Sequence, residues 1–365
     1  MDDRLPSRPR KGRGAIGNPT PRFDRESRVA IDDGWQQPQA EAEEDPPPLR
    51  TTVTIDSSRS IIARNDSPDV PFEQSVNPYR GCEHGCVYCF ARPSHAYLGL
   101  SPGLDFETRL FAKTAAPELL RAELSQPGYR CSVIALGANT DPYQPIEREY
   151  RITRGVLEVL QEFNHPVGVV SKSTLVQRDM DILAPMAAKH LASVAISITT
   201  LDRDLARHLE PRAATPARRL DTVRALSAAG IPVTVLASPM IPALNDHELD
   251  TILEAARAAG AIGAGYILLR LPLELTPLFE EWLEAHAPGK AKHVMSLIRQ
   301  SRGGKTYRSE FGTRMSGTGA YAEMLRLRFA TACRRLGLNE RRSVTRLDTS
   351  QFRRPPQKGD QLALL

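Results

Sequence analysis

Three cysteines, Cys82, Cys86 and Cys89, form a Cys-x-x-x-Cys-x-x-Cys run inside the segment NPYRGCEHGCVYCFARPSHAY. Three thiolates on one short loop can ligate three irons of a [4Fe–4S] cube and leave the fourth iron without a protein ligand. An iron left open in this way can bind and reduce something. Gly81 and Gly85 give such a loop the backbone freedom to wrap a bulky group. Zinc is the competing chemistry, because the three thiols with His84 or His95 would supply the four ligands of a closed tetrahedral site. Structural zinc sites usually pair two short knuckles far apart in sequence, whereas here the thiols are consecutive and no second knuckle follows. Cys131 and Cys333 stand alone in apolar surroundings. The odd total of 5 cysteines in a long chain argues against a disulfide framework.

The elements that must position this loop are legible in the hydrophobic pattern. CSVIALG, PVGVVSKS, LASVAISITT, IPVTVLASPM and AGYILLRLP are short, rich in β-branched residues and bounded by turn residues, which predicts strands buried on both faces. Helical periodicity separates them over Thr153 to Asn164, with Val156, Leu157 and Leu160 on one face, and over Arg178 to His190, Thr215 to Ala229 and Asp246 to Ala259. Thr215 and Pro216 suit an N-cap and first helical position, and Gly230 and Gly260 suit C-terminal caps. Strand then helix, repeated, implies right-handed crossovers and a parallel sheet. A first strand over about Glu73 to Tyr79 brings the number of units to six, two short of a closed (β/α)8 barrel.

The chain of 365 residues, 41% hydrophobic, is ample for one catalytic core with appendages. Residues 1–50 are rich in Pro, Arg, Asp and Glu, with a basic patch at Arg8, Arg10, Lys11 and Arg13 and three prolines at Pro46 to Pro48, and read as a disordered segment. Residues 51–275 hold the barrel, 276–340 a helical extension that closes its open side, and 341–365 an extended basic tail. No run reaches the roughly 18 apolar residues of a membrane span, and the N-terminus lacks the apolar stretch of a secretory leader, so a cytoplasmic protein is expected. Between Arg299 and Leu365 there are 15 Lys and Arg against 5 Asp and Glu, although the whole chain carries only +5. That asymmetry suits a polyanionic partner such as DNA or RNA, and it suits a solvated surface equally well.

The cysteine run, with Tyr88 just before its last member, resembles the cluster loop of radical S-adenosylmethionine (radical SAM) enzymes. NPYRGCEHGCVYCFAR, GANTDPYQPIE (137–147), VVSKSTLVQRD (169–179) and SITTLD (197–202) together resemble the branch that contains spore photoproduct lyase. The resemblance implies an α/β fold, a partial (β/α)6 TIM-type barrel, with its chemistry at the carboxyl ends of the strands. It implies a [4Fe–4S] cluster on Cys82, Cys86 and Cys89, with the amino and carboxylate groups of S-adenosylmethionine (SAM) on the open iron. Tyr88 would lie against the adenine, and Gly137, Asn139, Thr140 and Asp141 would position the amino group. Lys172 and Ser173 would meet the carboxylate, Ser197 would assist around ribose or carboxylate, and Ser238, Pro239 and Met240, with Leu268, would wall the adenine. An enzyme of this kind cleaves SAM reductively to a 5′-deoxyadenosyl radical, which abstracts hydrogen, and draws its electron from a low-potential donor such as flavodoxin or ferredoxin.

Two further readings follow. The lyase returns hydrogen through a cysteine near the end of its second strand, but Leu136 to Thr140 contain no thiol and Cys131 lies at the other end of that strand, so photoproduct lyase activity is not expected. Tyr143 is a candidate hydrogen donor in its place. The last five residues, Gln361 to Leu365, resemble the peptide by which bacterial DNA-processing proteins dock on the sliding clamp. The alternative from another class is a zinc-stabilised nucleic-acid-binding protein without catalysis.

Overall fold

The computed structural model describes residues 8–26, 49–340 and 346–355. Its strands are β1 (Thr52–Ile55), β2 (Ile62–Arg64), β3 (Gln74–Val76), β4 (Tyr79–Arg80), β5 (Arg109–Ala112), β6 (Ile134–Leu136), β7 (Val167–Ser171), β8 (Ala192–Ser197), β9 (Val233–Met240) and β10 (Gly263–Leu268). The larger sheet runs β10-β9-β8-β7-β6-β3-β2, with β3 and β6 to β10 all parallel and β2 antiparallel at the edge. Six parallel strands form an open partial barrel, and the first lies inside the range expected for it. Helices Ile152–Glu162, Met180–Ala188, Pro216–Ala228 and Leu249–Ala258 cover the outer face.

One expectation fails in an instructive way. β3 and β6 are buried at every position, but β7, β8 and β9 are fully buried on one face only: Val167, Val169, Val194, Ile196, Val233 and Val235 pack under the helices. The alternate residues Gly168, Val170, Ser193, Ala195, Thr234 and Leu236 are half-buried. Successive side chains point to opposite faces, so a sheet too short to close leaves its inner face open rather than filled. Thr215 and Pro216 hold the expected N-cap and first-turn positions, with Thr215 extended and making no side-chain cap bond. The Ala214 carbonyl beside it accepts from Arg219 Nε at 2.7 Å.

A small sheet, β1-β5-β4, carries the chain into the cysteine loop, with Tyr79 and Arg80 paired to Ala112 and Phe111. Sequence patterning gave no sign of it, because β4 has only 2 residues. The C-terminal helices do two jobs. Leu275–His286 and Pro288–Gln300 supply Phe279, Trp282, Val294 and Ile298 to an apolar cluster that also contains Cys86, Val87 and Tyr88. Each of these large buried side chains is worth about 1.5–3 kcal/mol, so the loop rests on a stable bed. Gly319–Leu336 packs against the last strand, with Tyr266 and Phe329 rings 4.8 Å apart.

Residues 8–26, expected within a disordered segment, lie against the body. Ala15 and Ile16 are buried, and the backbone N–H groups of Gly14 and Ala15 donate to Glu107 at 3.0 and 2.8 Å. Few apolar residues are needed because the contact is largely polar: beside the backbone bonds to Glu107, Arg13 donates to the Glu107 and Leu49 carbonyls and Arg22 pairs with Glu274, and a methyl at Gly14 would collide with the Gly85 carbonyl. Of the tail, residues 346–355 run under the opposite end of the barrel, where Phe352 meets Phe163 and His165 and Arg353 N–H donates to the Phe163 carbonyl at 3.0 Å. Residues 1–7, 27–48, 341–345 and 356–365, including the Gln361 to Leu365 peptide, lie outside the described residues. No described helix is long and apolar enough to cross a membrane.

Candidate functional site

The cysteine loop follows β4 at the carboxyl end of the sheet and is held from every side. Gly81 and Gly85 take φ of 74° and 69°, the left-handed region that a side chain rarely enters. Arg92, fully buried in the short 3-10 helix Arg92–Leu98, donates to the carbonyls of Cys86 (2.8 Å), Gly85 (3.1 Å), Pro102 (3.1 Å) and Gly103 (2.8 Å) and to Glu107 (2.5 Å). Gln144, also buried, accepts from Glu83 N–H at 3.0 Å and donates to the Gly81 carbonyl at 3.1 Å. Cys82 and Cys86 are buried and Cys89 is half-buried. Burial pushes all three thiols up, Cys86 to about 12, with Lys172 pulling it the other way.

Across the loop lies a buried polar group that sequence reading missed. Tyr88 donates its hydroxyl to Glu210, which pairs with Arg219, and Thr199 Oγ1 donates to the same carboxylate at 2.7 Å. Arg219 Nη1 donates to the Ser197 carbonyl at 3.0 Å. Burial pushes the Glu210 carboxyl up, but Arg219, Lys172 and the Tyr88 hydroxyl outweigh it and hold it at about 2. For Lys172, burial pulls the ammonium down while Cys86 and Glu210 more than offset it, so the net shift is upward; its Nζ lies 5.9 Å from the Tyr88 ring centre.

The expected binding residues divide into two groups. Tyr88, Lys172, Ser197 and Ser238 converge: the Ser238 carbonyl accepts from Ser197 Oγ (3.2 Å) and Thr199 Oγ1 (3.0 Å) beside the Tyr88–Glu210 pair. Met240 is fully buried at the end of β9, and Leu269 N–H donates to its carbonyl at 2.9 Å. The turn after β6 is engaged in holding itself. Asp141 accepts from Lys172 N–H (2.7 Å), Ser171 Oγ (2.8 Å) and Tyr143 N–H (2.9 Å). His84 Nδ1 stands 3.3 Å from Asp141, at ion-pair distance but out of line for a hydrogen bond. Burial raises the Asp141 carboxyl, yet His84 and the two N–H donors bring it to about 2. Thr140 Oγ1 donates to the Tyr79 carbonyl at 2.8 Å, Asn139 N–H donates to Asn77 Oδ1 at 2.8 Å, and Gly137, with φ of 87°, donates to the Val76 carbonyl at 3.1 Å. Ser173 caps Thr174–Asp179 by accepting from Leu175 N–H. Tyr143 is no ready hydrogen donor to the mouth, since its buried hydroxyl donates to Asp179 at 3.1 Å. Cys131 precedes β6 at the foot of the barrel.

The donor set is chemically suited to a cluster: three free thiols share one braced loop, and each would take a different iron of a cubane. Among the described residues no set of three His, Cys, Asp or Glu side chains is gathered tightly enough for a single metal ion.

An open six-stranded parallel barrel with a three-thiol loop at its mouth defines a class of α/β enzyme that carries its reactive group at the strand ends. The sequence model of the radical SAM superfamily matches residues 76–256. The uncharacterized protein Rv2578c of Mycobacterium tuberculosis is 39% identical over 233 residues, 63% of this chain and 68% of that protein. The uncharacterized protein MJ0683 of Methanocaldococcus jannaschii is 27% identical over 173 residues, 47% of this chain and 62% of that protein. Spore photoproduct lyase complexed with dinucleoside spore photoproduct superposes with a TM-score of 0.54 over 78% of this chain and 80% of that one, at 14% identity, a likeness of fold. The chain belongs to the radical SAM superfamily, whose enzymes use a [4Fe–4S] cluster and SAM.

Proposed function

We propose that Cys82, Cys86 and Cys89 hold a [4Fe–4S] cluster and that SAM binds between it and the ends of β7, β8 and β9. The observation that carries this reading is the cysteine loop itself, braced by Arg92 and Gln144 and facing the buried Tyr88–Glu210–Arg219 group. When bound, the two cofactors supply reductive cleavage of SAM to a 5′-deoxyadenosyl radical that abstracts hydrogen from a substrate. The chain supplies placement. Tyr88 is oriented by Glu210 and Thr199 and serves as the wall for the adenine. Lys172, held charged by its acidic surroundings, offers a cation to the SAM carboxylate. Ser197 and Ser238 present hydroxyl and carbonyl groups on adjacent strands, and Asp141 fixes the turn that carries Gly137, Asn139 and Thr140. The open inner face leaves room for ligand, and water is excluded when that face is filled.

The substrate in this reading is a nucleic acid, supported by the basic C-terminal part of the chain, and the electron comes from a flavodoxin- or ferredoxin-like donor. Anaerobic reconstitution with iron and sulfide, followed by SAM and dithionite, tests it: 5′-deoxyadenosine should accumulate from the wild type and not from Cys86→Ala. Equal amounts from both would end the assignment.

A further inference from the structure

The geometry points to Arg270, flanked by the rings of Phe90 and Tyr307, as a subsite that takes an oxyanion of the substrate at the rim of the cysteine loop. Arg270 stands just past the end of β10, at the carboxyl end of the sheet. Its guanidinium carbon lies 5.6 Å from the centre of the Phe90 ring and 5.9 Å from that of Tyr307. Phe90 follows Cys89 directly and is 47% exposed, so an aromatic face beside the cluster loop is open to solvent.

The hydrogen bonding of Arg270 is poor for a half-buried cation. Nη1 donates to the Met315 sulfur and Nη2 to the Tyr307 hydroxyl, both at 3.3 Å, and Nε is buried with no acceptor. Neutral, long contacts of this kind leave most of a guanidinium fork unused, and that fork matches a phosphate or carboxylate edge. Among the described residues no carboxylate pairs with Arg270. Asp69 is within electrostatic reach, but its oxygens are held by Arg314 and by the Gly312 N–H at 2.6 Å.

A second cation sharpens the imbalance. Arg302 is buried behind the same strand end and donates to the carbonyls of Leu268 (3.2 Å), Leu269 (2.9 Å), Thr313 (3.0 Å) and Arg314 (2.8 Å). It too lacks a carboxylate among the described residues, and burial, with the like charge of Arg270 behind it, pulls its pKa down to about 10. Arg302 thus fixes the backbone that carries Arg270 and adds positive potential there. Arg270, without a counter-charge at the mouth and with a second cation behind it, is satisfied by an anion from outside. The exposed Phe90 ring beside the fork adds a stacking face, the pairing with which proteins hold a base and its phosphate. The identity of that anion as a backbone phosphate rests on the nucleic-acid reading above; the anion subsite does not.

The test uses the reconstituted full chain under nitrogen and a fluorescent ten-nucleotide oligothymidylate, with inorganic phosphate as a second probe. Wild type should bind the oligonucleotide, and Arg270→Gln should weaken it about tenfold while lowering the salt slope by about one. Phe90→Ala should weaken it by a smaller factor, and Arg270→Lys should fall between wild type and Arg270→Gln. Should Arg270→Gln misfold by circular dichroism, Arg270→Lys and Phe90→Ala carry the comparison. In parallel, inorganic phosphate should shift the Arg270 15Nε resonance, a signal absent from Arg270→Lys. Oligonucleotide binding unchanged in folded Arg270 variants overturns the subsite and leaves the nucleic-acid reading standing. A phosphate-dependent Nε shift without oligonucleotide binding keeps the subsite and removes nucleic acid. Neither effect in the wild type removes both.

Discussion

Two buried arginine–carboxylate pairs flank the cysteine loop, and they differ in what else they touch. Arg92 and Glu107 are both 0% exposed, and every further hydrogen bond of their side chains goes to backbone: for Arg92 the cysteine loop and the Pro102 and Gly103 carbonyls, for Glu107 the N–H groups of Gly14 and Ala15. Arg219 and Glu210 are also buried, and Arg219 likewise donates to backbone, the Ala214 and Ser197 carbonyls, but Glu210 meets side chains at the strand ends, Tyr88, Thr199 and, through its charge, Lys172. The first pair builds the loop and the second faces what the loop would hold. A buried ion pair is costly to desolvate and is no argument for stability by itself, so the difference in neighbours decides what each pair does.

The largest effect should come from breaking the first pair. Arg92→Met leaves Glu107 buried without its partner and frees the carbonyls of Gly85 and Cys86, and should cost about 3 to 5 kcal/mol in urea unfolding. Iron retained after reconstitution should fall with it. Arg92→Met combined with Glu107→Leu should recover part of the loss, since no lone charge is then buried. A single variant as stable as the wild type would contradict the bracing role.

Glu210→Gln keeps the shape of the second pair and removes its charge. It should cost less, about 1 to 3 kcal/mol, and leave cluster iron unchanged. The rate of 5′-deoxyadenosine formation should drop by about tenfold or more, because Tyr88 loses the carboxylate that orients it and Lys172 a charge that keeps it protonated. Loss of iron with no change in rate per cluster would reverse the contrast drawn between the pairs.

Acid tests the charge on two of the buried carboxylates. Asp141 and Glu210 are both depressed in the folded chain to about 2. Their stabilisation is therefore present above the unfolded carboxylate range near 4, fades below it and is lost as pH falls through about 2. Each contributes roughly 2 to 3 kcal/mol, so the urea midpoint should decline between pH 4.5 and 2.5, and less steeply in Glu210→Gln. A flat midpoint over that interval would sink the assignment of charge to both groups. At the small end, Arg224→Ala removes an exposed pair with Asp221 and should shift stability by less than about 0.5 kcal/mol.

The difference between the pairs also explains which parts of the site are legible in the sequence. The cysteine loop and the six parallel strands are short-range signals: thiols within one turn of chain, and β-branched runs bounded by glycine and proline. Lys172 and Ser197 were found because each ends such a run. Glu210 and Arg219 were not, because Tyr88 and Glu210 are 122 residues apart and neither carries a local signature. Arg92 and Glu107 sit in text that reads as ordinary surface charge until the fold buries it. Composition makes the segment around Gly14 read as disordered because composition measures apolar area, whereas its attachment runs through polar contacts: backbone N–H groups to Glu107, and the Arg13 and Arg22 side chains.

What Cys82, Cys86 and Cys89 bind decides the chemistry of the whole mouth. Mössbauer spectroscopy of 57Fe-reconstituted protein, recorded before and after SAM, addresses this directly. The account predicts a cubane spectrum in which one iron site changes when SAM is added, and its disappearance in Cys86→Ala. A protein that takes up no cubane under anoxic conditions, or that holds a single zinc in its place, would contradict it.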